Sequence, residues 1–215
     1  MTRTSDSSRP ERLVPPALRS GDTIGVFAPA GVVPRERLER ALARISARGF
    51  RVKTYGDLFR ERGYLAGDDD ARAAELNAAL ADPETAAVMP ARGGYGCARL
   101  VDRLDYAAVR RRPKLVAGFS DLTAIHAALA AQTGLAALHS PNLVEGWGGE
   151  EPPTEWVEES FWQAAGLVSG VFGELTAPPP QAAAGLATLR PGVAEGPLIG
   201  GNAAGVAGLT GSPYM

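Results

Sequence analysis

Leu115-Val116-Ala117-Gly118-Phe119-Ser120-Asp121-Leu122-Thr123-Ala124 decides the fold. Its first five residues form a short apolar run, the pattern of a buried strand. From residue 121 the period changes. Leu122, Ile125 and Leu129 recur at helical spacing, so residues 121–132 read as an amphipathic helix. A buried strand running directly into a helix is half of a parallel crossover unit, because parallel neighbours need a helix-length connection. Ser120 sits at the junction.

The same alternation repeats on both sides. Residues 23–28 and 86–89 read as buried strands, and 50–55 and 136–138 as two more. Between them, Leu38, Leu42 and Ile45 place a helix over 35–48, ended by Gly49. Ala73, Leu76 and Leu80 place another over 71–81, and a further helix is expected over 97–104. This order predicts an α/β domain over 13–168, a flavodoxin-like parallel sheet with helices on both faces. Residues 1–12 read as a disordered tail and 155–168 as a last helix. Residues 169–190, with Pro178-Pro179-Pro180, read as a linker. Residues 191–215 read as the incomplete start of a second domain, so the chain looks truncated. That predicts exposed apolar surface at Leu198, Ile199 and Leu209.

Charge and composition narrow the function. Twenty-two Lys and Arg stand against twenty-four Asp and Glu, a net charge of −2 without the basic stripe of a nucleic-acid binder. The run Arg110-Arg111-Arg112, followed by Pro113-Lys114, reads as a solvated loop ahead of a strand. No apolar stretch is long enough to span a bilayer, and the N-terminus lacks the apolar core of a signal peptide. The single cysteine, Cys97, fits a reducing compartment, so a cytoplasmic location is expected. With only Cys97, His126 and His139 as soft ligands, neither a structural zinc site nor any cofactor is expected. A homodimer is the commonest closed assembly for such a domain.

In doubly wound sheets, ligands gather at the carboxyl ends of strands. Three loops lie there: 29–31, 91–96 and 120–121. A serine at a strand-to-helix turn has its hydroxyl exposed beside free helix N–H groups, which can stabilise an oxyanion. Gly118 makes room for the turn, although Leu122 stands where the hydrolase elbow has its second glycine. The plainer alternative is an ordinary serine N-cap. Ala91-Arg92-Gly93-Gly94-Tyr95-Gly96 also joins a strand to a helix, and its glycines permit close backbone approach to a ligand. It lacks the spacing of a dinucleotide or phosphate loop, which leaves an oxyanion donor, a carboxylate cradle or a flexible turn. Tyr95 either lines a cleft or packs beneath the turn. Asp121 is expected to cap its own helix, Cys97 to pack inside, His126 to be a helix-surface or packing residue, and the tryptophans to be core or interface residues.

Together, residues 91–96, Pro113-Lys114, Gly118 to Ala124 and His139-Ser140-Pro141 resemble the ordered signature of the LD-carboxypeptidase family. The lead-in 18–29, Gly196 to Asn202 and Gly211-Ser212-Pro213-Tyr214 fit the same pattern. The family includes muramoyltetrapeptide carboxypeptidases and microcin-C-immunity-type peptidases. The resemblance implies an N-terminal α/β domain followed by a β-rich one, with the active site between them. It implies hydrolysis of the amide joining an L-centre to a C-terminal D-residue, with a small peptide as partner and no metal; the alternatives are a non-catalytic peptide-binding α/β module and a peptide-nucleotide immunity peptidase. Ser120 matches the nucleophile, and the N–H groups of Asp121 and of the Gly93-Gly94 turn match the oxyanion hole. Arg92 and Tyr95 are the expected substrate contacts. The family's triad Glu and His lie beyond residue 215. His139 is the nearest local substitute for that base, but no orienting carboxylate stands at a motif position beside it. Ser140 and Asn142 stand where Gly and Met are usual, and Ala203 where Leu is usual.

Overall fold

The computed structural model describes residues 10–180, 184–185, 187–193 and 195–215. The expected tail over 1–12 and linker over 169–190 therefore fall partly outside the described residues. Five parallel strands form one sheet: β1 (Thr23–Phe27), β2 (Arg51–Thr54), β3 (Ala87–Pro90), β4 (Leu115–Gly118) and β5 (Leu138–His139). Their spatial order is β2-β1-β3-β4-β5, the flavodoxin-like order. Every residue of β1, β3 and β4 is buried, as a sheet covered on both faces requires.

Successive strand residues point to opposite faces and feed two cores. Ile24, Val26, Met89, Leu115 and Ala117 join one core with helix α1 (Arg35–Ala47), the short α5 (Leu143–Gly146) and α6 (Glu155–Ala164). Phe27, Val88 and Val116 join the other with α2 (Asp69–Ala81), α3 (Tyr106–Arg111) and α4 (Thr123–Thr133). Asp68 caps α2 by accepting from the Ala71 N–H at 2.8 Å, and Asp69 and Asp70 favour its first turn. On the α1 side, Trp162 stacks on Phe50 at 4.8 Å between ring centroids and meets Phe161 edge-on at 4.7 Å. Trp147 meets Phe161 at 4.9 Å. Trp147 and Trp162 are fully buried, whereas Trp156 is exposed.

Several local expectations change. The helix expected over 97–104 is two 3₁₀ turns, Cys97–Arg99 and Val101–Arg103. The arginine run closes helix α3, which Asp105 caps through the Ala108 N–H. Its basic end suits the negative pole of a helix C-terminus. Lys114 is buried rather than solvated, and its ammonium donates to Ala79 O, Asp82 O and Thr85 Oγ1 at the end of α2. The stretch after residue 146 has no regular structure until α6. It is held by α1: the Arg44 guanidinium donates to Trp147 O, Gly149 O and Glu150 O, and Arg40 to Gly148 O.

Within 191–215 the described residues form extended chain and then a helix, α7 (Ala203–Leu209), and no strand of a β-rich domain is among them. Helix α7 lies against α4, with Leu209 in the second core. Tyr214 donates its hydroxyl to Asp102. Leu198 and Ile199 are exposed as expected, and Leu209 is not. No helix among the described residues is long and apolar enough to cross a membrane.

Candidate functional site

Strands β3 and β4 are neighbours, so their carboxyl ends bring the 91–96 turn and Ser120 to one rim of the sheet. Ser120 has φ +60°, the only positive φ of a non-glycine residue among the described residues. A side-chain-bearing residue held in the left-handed region stores strain of order 1–3 kcal/mol and persists only where its surroundings fix it. An elbow has this conformation: the chain turns sharply, and the hydroxyl stands at the strand's end. An ordinary N-cap has β-region dihedrals, so Ser120 is not one. A 3₁₀ turn, Ser120–Leu122, leads from it into α4.

Gly118 is required by contact as well as by conformation. A Cβ there would lie 2.8 Å from Asn142 Oδ1 and 2.9 Å from Pro90 Cγ.

The glycine turn lies directly against the serine. A Cβ built on Gly93 would stand 3.3 Å from Ser120 Cβ and 3.5 Å from Ser120 Oγ. The Gly93 carbonyl accepts from the Gly31 N–H at 3.2 Å, which joins the 29–31 loop to the same rim. Gly94 has φ +139°, and a Cβ there would approach Gly31 N to 2.7 Å. All three loops named by the strand-end rule therefore meet. Buried Arg72 ties two of them from beneath, donating to Pro29 O and to Gly96 O. Its charge is balanced by Asp69.

Asp121 does not cap its own helix. Its Oδ2 accepts from the Cys97 N–H at 2.8 Å, so it caps the 3₁₀ turn that follows the glycines. Cys97 is buried, and burial together with the Asp121 carboxylate pushes its thiol pKa up, away from a reactive thiolate. Tyr95 is 77% exposed and does not pack beneath the turn. Arg92 donates to Val32 O at 2.8 Å. It lines a cleft of about 480 Å³ with Val32, Val33, Pro34, Arg35, Phe59 and Glu61. Ser120 does not line that cleft.

His126 is buried in α4, and burial lowers its pKa to about 3. His139 is exposed at the end of β5, paired in register with Gly118, with its ring edge-on to Phe119 at 6.4 Å.

Two residues at the site had no assigned role in the sequence reading. Asn142 is wholly buried behind the elbow, its Oδ1 accepting from the Phe119 N–H at 3.0 Å. Asn202, at the start of α7, donates its backbone N–H to Thr123 Oγ1 at 2.8 Å, three residues past Ser120. Neither lies near Ser120 in sequence, so no local pattern pairs them with it.

The structure is a doubly wound α/β domain whose carboxyl rim sets the strained Ser120 turn against a glycine turn. The chain belongs to the LD-carboxypeptidase family: the sequence model of that family's N-terminal domain matches residues 24–140. The "Probable murein peptide carboxypeptidase" of Bacillus subtilis is 36% identical over 202 residues, covering 93% of this chain and 60% of that protein. The murein tetrapeptide carboxypeptidase of Pseudomonas aeruginosa is 30% identical over 194 residues, covering 88% of this chain and 60% of its own. Among solved structures, the microcin C7 self-immunity protein MccF, known from Escherichia coli, superposes with a TM-score of 0.79 at 28% identity. That superposition covers 94% of this chain and 67% of MccF. MccF has also been solved in complex with aspartyl sulfamoyl adenosine. This chain thus spans about 60% of the length of the two murein carboxypeptidases.

Proposed function

We propose that this chain is the nucleophile-bearing portion of a serine LD-carboxypeptidase. It acts on the amide between an L-centre and a C-terminal D-amino acid, as in recycled murein tetrapeptides. The observation that carries the reading is the positive φ of Ser120 with its side chain against Gly93. In this mechanism Ser120 Oγ attacks the amide carbonyl, and its proton passes to a general base. The carbonyl oxygen gains charge and is met by the Asp121 N–H and by N–H groups of Gly93 and Gly94. Among the described residues neither glycine N–H donates to another group, which leaves both available. Loss of a preorganised oxyanion donor costs roughly 10²–10³ in rate. Collapse breaks the C–N bond as the base hands its proton to the leaving amine of the D-amino acid; water, deprotonated by the same base, then attacks the acyl carbonyl and displaces Ser120 Oγ, which takes the proton back. Tyr95, exposed within the glycine turn, contacts the substrate, whereas Arg92 is held by Val32 O in a cleft that Ser120 does not line.

By resemblance, the triad Glu and His belong to a segment after residue 215. Loss of a triad base costs several orders of magnitude. The 215-residue protein is therefore expected to release at most trace D-alanine from a murein tetrapeptide, and none after Ser120→Ala. Robust turnover that survives Ser120→Ala would overturn the reading. The likeness to MccF favours a second substrate class at the same serine, a peptidyl or aminoacyl nucleotide. Calorimetry with a D-terminated peptide and with an aminoacyl sulfamoyl adenosine ranks the two. Binding of neither would oppose both.

A further inference from the structure

Asn142 precedes α5 in the N-cap position, yet its side chain makes no cap. Asparagine is among the best N-caps, so turning it away costs the helix roughly 1 kcal/mol. The side chain points instead to the back of the elbow and is wholly buried. Its Oδ1 accepts from the N–H of Phe119, the residue before the strained serine. Because Phe119 N–H is a donor, the oxygen must face it, and that fixes which way the amide lies. Nδ2 consequently faces the other way. It is buried and has no partner among the described residues. The point occupied by a Cβ on Gly93 would lie 3.1 Å from Nδ2 and 3.5 Å from Ser120 Oγ, so the amide and the hydroxyl both border Gly93. A buried amide donor without an acceptor costs about 1–3 kcal/mol. In a site already carrying a strained serine, such a donor is suited to the serine oxygen once that oxygen turns into line for attack.

We propose that Asn142 is a positioning residue for Ser120. Oδ1 clamps the Phe119 amide and so holds the elbow in its left-handed conformation. Nδ2 donates to the serine oxygen as it swings into line for attack, keeping its lone pair directed at the substrate. The second role rests on the peptidase reading above; the first does not.

Two substitutions separate the roles. Asn142→Asp, read at about pH 8 to 9 where the carboxyl is ionised, keeps an acceptor for Phe119 and removes the donor. Asn142→Leu removes both. Two readouts are taken on the full chain: amide hydrogen exchange at Phe119, and the rate at which a serine-directed fluorophosphonate labels Ser120, by peptide mass. Thermal unfolding identifies any variant that fails to fold. The expected result for Asn142→Asp is near-native Phe119 exchange with labelling slowed about tenfold. For Asn142→Leu, Phe119 exchange rises about tenfold or more and labelling falls at least as far. Wild-type labelling of Asn142→Asp would overturn the donor role, and unchanged Phe119 exchange in Asn142→Leu would overturn the clamp. An unlabelled wild type would overturn the peptidase reading and the donor role with it, while exchange at Phe119 still decides the clamp.

Discussion

The carboxylate of Asp121 and the backbone N–H of Cys97 are joined by a 2.8 Å hydrogen bond. This bond fastens the serine elbow to the glycine turn from the next strand. A charge-assisted bond of this type contributes about 1.5–3 kcal/mol. Asp121→Ala is expected to lower stability by about 1–2 kcal/mol in urea unfolding with an unchanged slope. Asp121→Asn, which retains an acceptor, is expected to lose less. Equal stability of Asp121→Ala and the wild type would show that the two loops are held by other contacts.

Gly94 makes a sharper case. Its φ of +139° disfavours any side chain, and the atom that a Cβ would meet at 2.7 Å is the backbone nitrogen of Gly31, which has no rotamer to change. Gly94→Ala is expected to cost about 2–3 kcal/mol. It should also raise hydrogen exchange at Gly31, whose N–H bond to Gly93 O must open. Gly63 has φ +62° with open space around it. Gly63→Ala should cost only the backbone strain, about 1 kcal/mol. Similar losses for the two variants would contradict the packed-loop account.

His126 gives a pH dependence with a definite sign. Burial lowers its folded pKa to about 3, and the unfolded value is about 6.5. Between those values the unfolded chain binds a proton that the folded chain refuses, so stability rises with pH across that window. It is complete above pH 6.5 and falls as the solution is acidified towards pH 3. At pH 5 the loss from this group is about 2 kcal/mol. His126→Leu should flatten the profile between pH 7 and 5. An unaltered slope in that variant would assign the acid sensitivity to carboxylates.

Much of this fold was legible in the sequence because period and burial agree. Residues 23–27, 87–90 and 115–118 are apolar on both faces, which only a doubly covered parallel sheet can accommodate. The segments that misled are those fixed by distant partners. Residues 97–104 have helical spacing, but Asp121 and the glycine turn draw them into 3₁₀ turns. Residues 147–151 look irregular and are ordered by Arg40 and Arg44, more than a hundred positions earlier. At the site, Ser120 and Gly93 could be paired through strand order alone. Asn142 could not, since its role depends on which way a buried amide turns. The strain at Ser120 is likewise invisible in composition, because serine is common where β-region caps are needed.

The reactivity of the Ser120 hydroxyl is decisive, and a single labelling measurement tests it. The full 215-residue protein is treated with a serine-directed fluorophosphonate and its peptides are mapped by mass. One slowly formed adduct is expected, on the peptide bearing Ser120 and absent from Ser120→Ala. Equal modification of Ser120→Ala, or an adduct confined to other serines, would contradict that expectation.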